Sequence, residues 1–599
     1  MCGIIGQISF DGLKHSSPQL DLLHHRGPDD KGEWTSLSGN VYLGHTRLAI
    51  LEPTEAGKQP MNDVSKRFTI SFNGEIYNHL ELRTLLPAIN WKGNSDTETL
   101  VELLSDRGLD ALNLLKGMFA FSLYDSKDNS ILLVRDRLGI KPLWYRYHGK
   151  RFIFSSEIRA LLKPGESKLT EQALSEYIGF GRMPGIGAIF EGVEALPPGS
   201  WVKINESEGI TKGNWWPNSS FTIPKPKNRL ECTQKVKQLV TRAIEEHLIS
   251  DVGVGAFLSG GIDSSIVTLM AGKVLGRRLQ TFTIGFPQKT FDERAIARKV
   301  AIKAGSEHTE LEVSSDTCLD WVKEAVLNLD LPSVDAINTY IVSRAVRDTG
   351  LKVALSGLGG DELFGGYPSF QNIPWLHLLN VLPSTVSRKL VTLVPKNIKE
   401  KLGGLTDFTS INLTSARRRF TSIDRLRAMG LEVGTPVIPS PPSNLDMMGM
   451  ISWTEIHAYM IPMLLRDSDQ MSMAVGLEIR VPFLDHHLVE EVLGLSQKYK
   501  KGSGIKPLLI AAFQPDLPRE VYDRPKQGFT LPMDEWIRGP LAEFSNEGVL
   551  AAADLLSMSE PMQQIESFHK GNLHWTRIWK WCVLGHWLAK RKECIKFNL

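Results

Sequence analysis

Residues 254–265 read V-G-A-F-L-S-G-G-I-D-S-S, and residues 352–367 read K-V-A-L-S-G-L-G-G-D-E-L-F-G-G-Y. Each is a short apolar strand that runs into a glycine turn, carries an aspartate and opens a helix. Strands joined through helices lie parallel, and such a doubly wound sheet binds ligands at the carboxyl ends of its strands. Gly260 and Gly261 remove side chains, so backbone N–H groups can close on a ligand. The helix expected to start near Ser265 turns its free N–H groups and positive dipole end to the same place. Ser259, Ser264 and Ser265 add hydroxyl donors. A lone S-G-G is an ordinary turn; the full run is far more specific. It lacks the lysine of G-x-x-x-x-G-K-[ST], which excludes a Walker-type loop. Asp263 beside a phosphate needs a cation between them. Two aspartate-bearing turns of one sheet can hold the two ends of a triphosphate, with Asp263 and Asp361 sharing Mg²⁺.

The sequence around these turns fits the same frame. T-F-T-I-G at 281–285 reads as a second buried strand, F-D-E-R at 291–294 opens a helix, and H-T-E-L at 308–311 leads into a third strand. His308 alone reads as a packing residue rather than a metal ligand. Upstream, Val236, Val240, Ile244 and Leu248 form one apolar stripe on a helix from about Leu230. Trp575, Trp579, Trp581 and Trp587 mark an aromatic-rich helix over 574–588 that reads as core. A chain of 599 residues exceeds one core and implies several domains. Its net charge of +2 gives no electrostatic footprint for nucleic acid or an anionic membrane. No run approaches the ~18 apolar residues of a membrane span. The opening M-C-G-I-I-G has no basic region followed by an apolar core, so no signal peptide is expected. The scattered cysteines Cys2, Cys232, Cys318, Cys582 and Cys594 argue against a disulfide framework and a zinc site, and for a reducing cytoplasm.

In the first half, Cys2 carries both a thiol and, once Met1 is removed, a free α-amine. An α-amine titrates near 7.7–8.0, so it can take the thiol proton about neutral pH without a histidine. The plain alternative is an incidental cysteine. Phe68, Ile70 and Phe72 alternate with Thr69 and Ser71, a half-buried strand that ends at Asn73-Gly74. That pair is either a simple turn or the amide and backbone N–H of an oxyanion hole. Ser95 and Glu98 have the spacing of a capping box, which gives Asp96 a possible helix-terminal role. Further strands are expected at Phe119–Leu123, 131–134, 152–154 and 194–202, with Pro197-Pro198-Gly199 as a turn. Arg135 and Asp136 read as structural ion-pair partners. Proline-rich, apolar-poor sequence after Trp216 marks a linker, dividing the chain into 2–216, 217–229 and 230–599.

Cys2-Gly3-Ile4, H-R-G-P-D at 25–29, G-H-T-R-L-A-I at 44–50, F-N-G-E-I-Y-N at 72–78 and S-D-T-E at 95–98 resemble the glutaminase domain of class II glutamine amidotransferases. The resemblance implies an N-terminal-nucleophile hydrolase, an αββα sandwich. It implies Cys2 as nucleophile, Asn73 and Gly74 at the oxyanion, Arg47 on the glutamine α-carboxylate, Glu75 and Asp96 on its α-amine, and Ile50 in the same glutamine pocket. The S-G-G-x-D-S loop resembles that of the N-type ATP pyrophosphatases. With S-G-L-G-G-D-E, R-D-S-D-Q-M-S-M at 466–473 and E-I-R-V-P-F-L-D at 478–485, it resembles the synthetase domain of glutamine-hydrolysing asparagine synthetases. That implies ATP contacts through Leu258, Ser259, Gly260, Gly261, Asp263, Ser264, Ile284, Ser356 and Gly357, and Asp263 and Asp361 as metal ligands. Lys506, in K-K-G-S-G-I-K-P, would meet phosphate in the adenylation transition state, where negative charge develops; a solvated lysine is the alternative. Arg524 and Lys526 lie in a family-like stretch. A homodimer and an internal ammonia channel are family expectations.

Leu358 departs from the pattern. The family carries glutamate there, assigned to proton transfer during ammonia attack, and leucine cannot move a proton. Glu362 is nearby, but the family has an acid there too. Either another base serves an aspartate-to-asparagine reaction, or the acceptor is a different carboxylate in a more apolar pocket. The overall expectation is ATP-dependent amide formation with ammonia from glutamine. The rivals are a non-catalytic protein on a retained scaffold and a bare glutaminase.

Overall fold

A computed structural model describes residues 2–11, 19–216, 225–285, 293–382, 386, 389, 396–433, 436–524 and 531–596. Two antiparallel sheets build the first half. In the seven-stranded sheet, Cys2–Ser9 lies between Val41–Arg47 and Arg151–Ser155. In the six-stranded sheet, Phe68–Ile76 lies beside Gly117–Asp125. Ile4, Ile8, Leu43 and Phe154 of the first sheet pack with Ala120, Leu133 and Ile204 of the second. Outside the second sheet, Leu100, Leu103 and Leu104 of the helix Asp96–Arg107 join Ile70, Phe72 and Phe121 in one core. On the outer face of the first, Ile5 and Tyr42 meet Leu20 and Leu23. The layering is therefore α, β, β, α.

This layering corrects two expectations. Thr69 and Ser71 do not face solvent; both are buried, because helices cover one face of the strand and the first sheet covers the other. Ser71 Oγ donates across to the Gly44 carbonyl at 3.3 Å. Nor does the strand end at Asn73. It pairs on to Ile76, and Gly74 permits this, because a Cβ there would lie 2.2 Å from the Met118 carbonyl oxygen. The extended stretch at 194–202 is broken, as expected, by the Pro197-Pro198-Gly199 turn into Val193–Ala195 and Ser200–Asn205, each in a different sheet.

The second half is a five-stranded parallel sheet in the order Glu307–Glu312, Gln280–Gly285, Val254–Phe257, Val353–Leu355, Glu478–Arg480. The chain begins in the middle, winds to one side, then crosses to the other. The reversal falls between Val254–Phe257 and Val353–Leu355, the two strands that carry the glycine turns. A topological switch point is where such sheets bind ligands. The helix after the first turn begins at Ile262, not Ser265, because Gly260 at φ +72° reverses the chain within one residue. H-T-E-L lies inside the edge strand rather than before it. Of F-D-E-R, 291 and 292 lie outside the described residues, and the helix there is Arg294–Ala304. Helix Arg229–Glu246 packs Val236, Val240 and Ile244 into the main core, with Leu248 buried just past its end. Trp579, Trp581 and Trp587 of the helix Trp575–Lys590 are core residues.

The halves are joined by polar contacts, one of them fully buried. Arg26, fully buried, donates to Asp469 at 2.8 Å and to Glu157 at 3.1 Å. Lys352 pairs with Asp29 at 2.8 Å, and Trp216 Nε1 donates to Glu490 at 3.0 Å. The strand Ile595–Lys596 returns to pair with Ser167–Lys168 of the first half. Residues 217–224 of the expected linker lie outside the described residues. No described helix is long and apolar enough to cross a membrane.

Candidate active sites

Cys2 opens the first strand with Arg47 opposite it in register. Its backbone N–H donates to Asn73 Oδ1 at 2.9 Å. The Asn73 Nδ2 is buried and has no hydrogen-bond partner, an idle donor on the side chain that holds the Cys2 backbone. A buried amide without an acceptor carries a desolvation cost that a bound anion removes. Burial pushes the Cys2 thiol above its ordinary range, opposed by the amino terminus, the Leu48 N–H and Arg47. Arg26 Nε donates to the Cys2 carbonyl at 3.1 Å, which fixes the start of the strand.

Arg47 is 6% exposed and wrapped by the loop that follows it, donating to the carbonyls of Thr54 (3.0 Å), Leu51 (3.3 Å) and Glu52. Gly57 is required beside it, since a Cβ would meet its guanidinium at 2.0 Å. Ile50 is buried, and its carbonyl accepts from the Asp251 N–H of the second half at 3.2 Å. Asp96 Oδ2 accepts from the Ile76 N–H at 2.9 Å, which seats the carboxylate at the end of the strand that carries Asn73 and Glu75. The expected capping box is absent. Ser95 accepts from Thr97, and Glu98 turns back to the N–H groups of Lys92 and Gly93. Glu75 lies 3.3 Å from Arg480, a residue of the second half. Arg135 and Asp136 do not pair with each other. Arg135 holds the carbonyls of Lys141, Leu196 and Gly139; Asp136 accepts from four N–H groups of its own loop and the neighbouring strand.

The second site is a cavity of about 460 Å³ at the switch point. It brings together Ser259, Gly261, Asp263, Ser264, Ser356, Gly357, Leu358, Asp361 and Lys506. Lys506 is 2% exposed, with its ammonium on Asp263 and, at 2.6 Å, on Asp361. It is not a solvated lysine. The two aspartates therefore converge on one point from two turns. The turns are tight enough to demand glycine. A Cβ at Gly360 would meet Asp263 Oδ1 at 2.3 Å, and one at Gly366 would meet Asp361 Oδ1 at 1.7 Å. Ser259 and Ser264 hydroxyls bond each other at 3.0 Å, closing the loop.

Leu258, Gly260 and Ile284 do not line this cavity. The Leu258 N–H already donates to Phe282, and its carbonyl accepts from Thr283. Gly260 faces Arg524, which lines the cavity and donates to the Gly260 carbonyl at 3.0 Å and to Glu293 at 2.7 Å, pinning the loop. Lys526 lies outside the described residues. Phe257, Glu293 and Ile505, from segments quoted above, also line the cavity, as do Leu464 and Val521, single apolar residues that carry no motif. Glu362 is buried away from the cavity, accepts from the Tyr367 hydroxyl at 2.6 Å, and is pushed up to about 7 by burial and by Asp361. His308 packs on Thr281 at 3.0 Å. The described cysteines are all free.

Comparison with known sequences decides the family. The asparagine synthase family matches residues 235–588, more than half of the chain. The chain belongs to the asparagine synthase family. A glutamine amidotransferase domain matches residues 1–216. Asparagine synthetase [glutamine-hydrolyzing] 1 of Bacillus subtilis is 30% identical over 569 residues, covering 91% of this chain and 89% of that protein. Asparagine synthetase [glutamine-hydrolyzing] 3 of the same organism is 31% identical, covering 90% and 89%. Amidase chry2 of Gibberella zeae is 28% identical, covering 92% of each. With both domains in one chain, this family member is a glutamine-hydrolysing carbon–nitrogen ligase.

Proposed function

We propose that this ligase hydrolyses glutamine at Cys2 and uses the ammonia to amidate a carboxylate that ATP has adenylated at the switch-point cavity. The observation that carries the reading is the convergence of Asp263, Asp361 and Lys506 from separate segments on one point between two glycine turns. In the first half, removal of Met1 turns the Cys2 nitrogen, already held by Asn73 Oδ1, into the free amine that accepts the thiol proton. The Cys2 sulfur then attacks the glutamine carboxamide. The idle Asn73 Nδ2 and the Gly74 N–H receive the oxyanion. Ammonia leaves, and water hydrolyses the glutamyl thioester. Arg47 faces the α-carboxylate, Glu75 and Asp96 the α-amine, and Ile50 closes the pocket.

In the second half, the Ser259–Ser264 loop and the Ser356–Gly357 turn hold the triphosphate. Asp263 and Asp361, two carboxylates from glycine-walled turns, would hold Mg²⁺, which takes hard oxygen ligands. When bound there, Mg²⁺ neutralises charge on the departing pyrophosphate. Lys506, displaced from the aspartates, follows that charge. Ammonia then displaces AMP. A small interior cavity of about 30 Å³ between the halves, lined by Arg26, Ile140, Glu157 and Asp469, supports an internal route for ammonia, which keeps it from bulk protonation.

Aspartate is the acceptor in the first reading, which gives asparagine. Leu358 favours a second. It stands on the cavity wall with Leu464 and Ile505, an apolar surface where a different carboxylate packs. Pyrophosphate release from ATP with glutamine, measured with aspartate and with a panel of other carboxylic acids, separates them. Release with aspartate and formation of asparagine supports the first; release only with another acid supports the second. Silence with every acid contradicts the ligase reading of this site.

A further inference from the structure

Glu75 is the one glutamine-pocket carboxylate whose ion-pair partner comes from the other half of the chain. Arg480 ends the last strand of the parallel sheet and is fully buried. Three anchors fix its side chain: Nε donates to Glu478 at 2.5 Å, and Nη1 donates to the carbonyls of His247 at 2.8 Å and Ile249 at 2.6 Å. That leaves Nη2, which makes no hydrogen bond of good geometry and lies 3.3 Å from Glu75. The guanidinium is thus held rigidly by its own domain and presents one arm across the junction. Its cation is also close to the Tyr77 ring, two residues beyond Glu75.

We propose that Arg480 is a positioning residue for glutamine recognition: from the synthetase half it holds the Glu75 side chain in place for the substrate's α-ammonium and opposes its neutralisation. The inference rests on the glutamine-pocket reading above. The physical need is clear. A fully buried carboxylate tends to neutralise itself, and a neutral acid cannot hold an ammonium. Burial above all, with Glu478 and Asp96, holds the Glu75 acid well above its ordinary range; Arg480 is the largest influence pulling it back, with the amino terminus assisting. Tyr77 and His247, whose ring centroids lie 4.1 Å apart, are the further buried titratable groups beside Arg480. Because the Arg480–Glu75 contact is loose, the carboxylate can turn a lone pair to an arriving ammonium without losing the cation. The pocket is then complete only when the halves are docked, so glutamine is not hydrolysed efficiently by a chain whose synthetase sheet is displaced.

The test uses the full chain. Glutamine hydrolysis is measured for wild type, Glu75→Gln, Arg480→Met and Arg480→Lys from about pH 6 to pH 9. Arg480→Met is expected to raise the glutamine KM about tenfold or more near neutral pH while kcat changes less than about threefold. Its KM should fall as pH rises, because Glu75 without its cation ionises only at higher pH, and this dependence should lie at higher pH than that of the wild type. Arg480→Lys, which keeps the charge, should recover most of the KM and the wild-type pH profile. If Arg480→Met fails to fold, Arg480→Gln carries the same measurement. An unchanged KM, or a rise of equal size at every pH, overturns the proposal. Glu75→Gln separates the two levels. If it leaves KM unchanged, the glutamine-pocket reading itself fails; if it raises KM and Arg480→Met does not, that reading stands and the positioning role falls.

Discussion

At the scale of single residues, the site turns on polar atoms with no partner of their own. Asn73 Nδ2 is the clearest: buried, idle and beside Cys2. Asn73→Ala should lower kcat for glutamine hydrolysis about 10²–10³-fold, the usual cost of one lost oxyanion donor. Pyrophosphate release supported by added ammonium should be unaffected, and a loss of both would show a folding defect instead. Glu362 gives a prediction of the opposite kind. Its acid is pushed up to about 7 by burial, so the folded state prefers the proton. Stability from this group is present at acid pH and is lost as pH rises from the carboxylate range through about 7. Glu362→Gln mimics the protonated form, so its melting temperature relative to wild type should be higher at about pH 8.5 than at about pH 5.5. Equal shifts at both values would place the titration elsewhere.

At the scale of elements, the glycine turns do the positioning, and they were legible. A strand, a glycine run and an aspartate are local patterns, and S-G-G-I-D-S-S and S-G-L-G-G-D-E both proved to sit at the switch point. What was not legible was how far each element ran. The strand through Asn73 continued because its partner strand, distant in sequence, continued; no window around Asn73 contains that information. The alternation of Thr69 and Ser71 suggested a solvent face because a single strand cannot announce the second layer above it. The identity of the aspartates' partner was also hidden, since Lys506 arrives from a segment far along the chain. The turn geometry is testable. Gly366→Ala would drive a methyl into the Asp361 carboxylate, 1.7 Å away. Pyrophosphate release should fall at least about a hundredfold, consistent with a misplaced reacting group. Glutamine hydrolysis in the same variant should persist.

At the scale of the whole molecule, two chemistries share one junction. The main core holds residues of both halves, among them Phe119 and Trp215 with Val236, Ile266 and Leu355. Arg26 links the Cys2 carbonyl, Glu157 and Asp469 at a single buried point. Arg26→Met leaves Asp469 with only Lys141 at 3.8 Å, while Glu157 keeps Arg159 and His25, so the cost is at most that of breaking a buried pair from one side, about 3–5 kcal/mol. A lowered melting temperature and loss of glutamine-supported synthesis should appear together; a variant as stable as wild type would show that the clamp carries no weight. The central claim is that ammonia made at Cys2 is used at Asp263, Asp361 and Lys506. It is tested most directly by comparing wild type with Cys2→Ala for pyrophosphate release, on an acid that sustains it, with glutamine and then with ammonium as nitrogen source. The account predicts that Cys2→Ala works with ammonium and not with glutamine. Full glutamine-dependent activity in Cys2→Ala would contradict it.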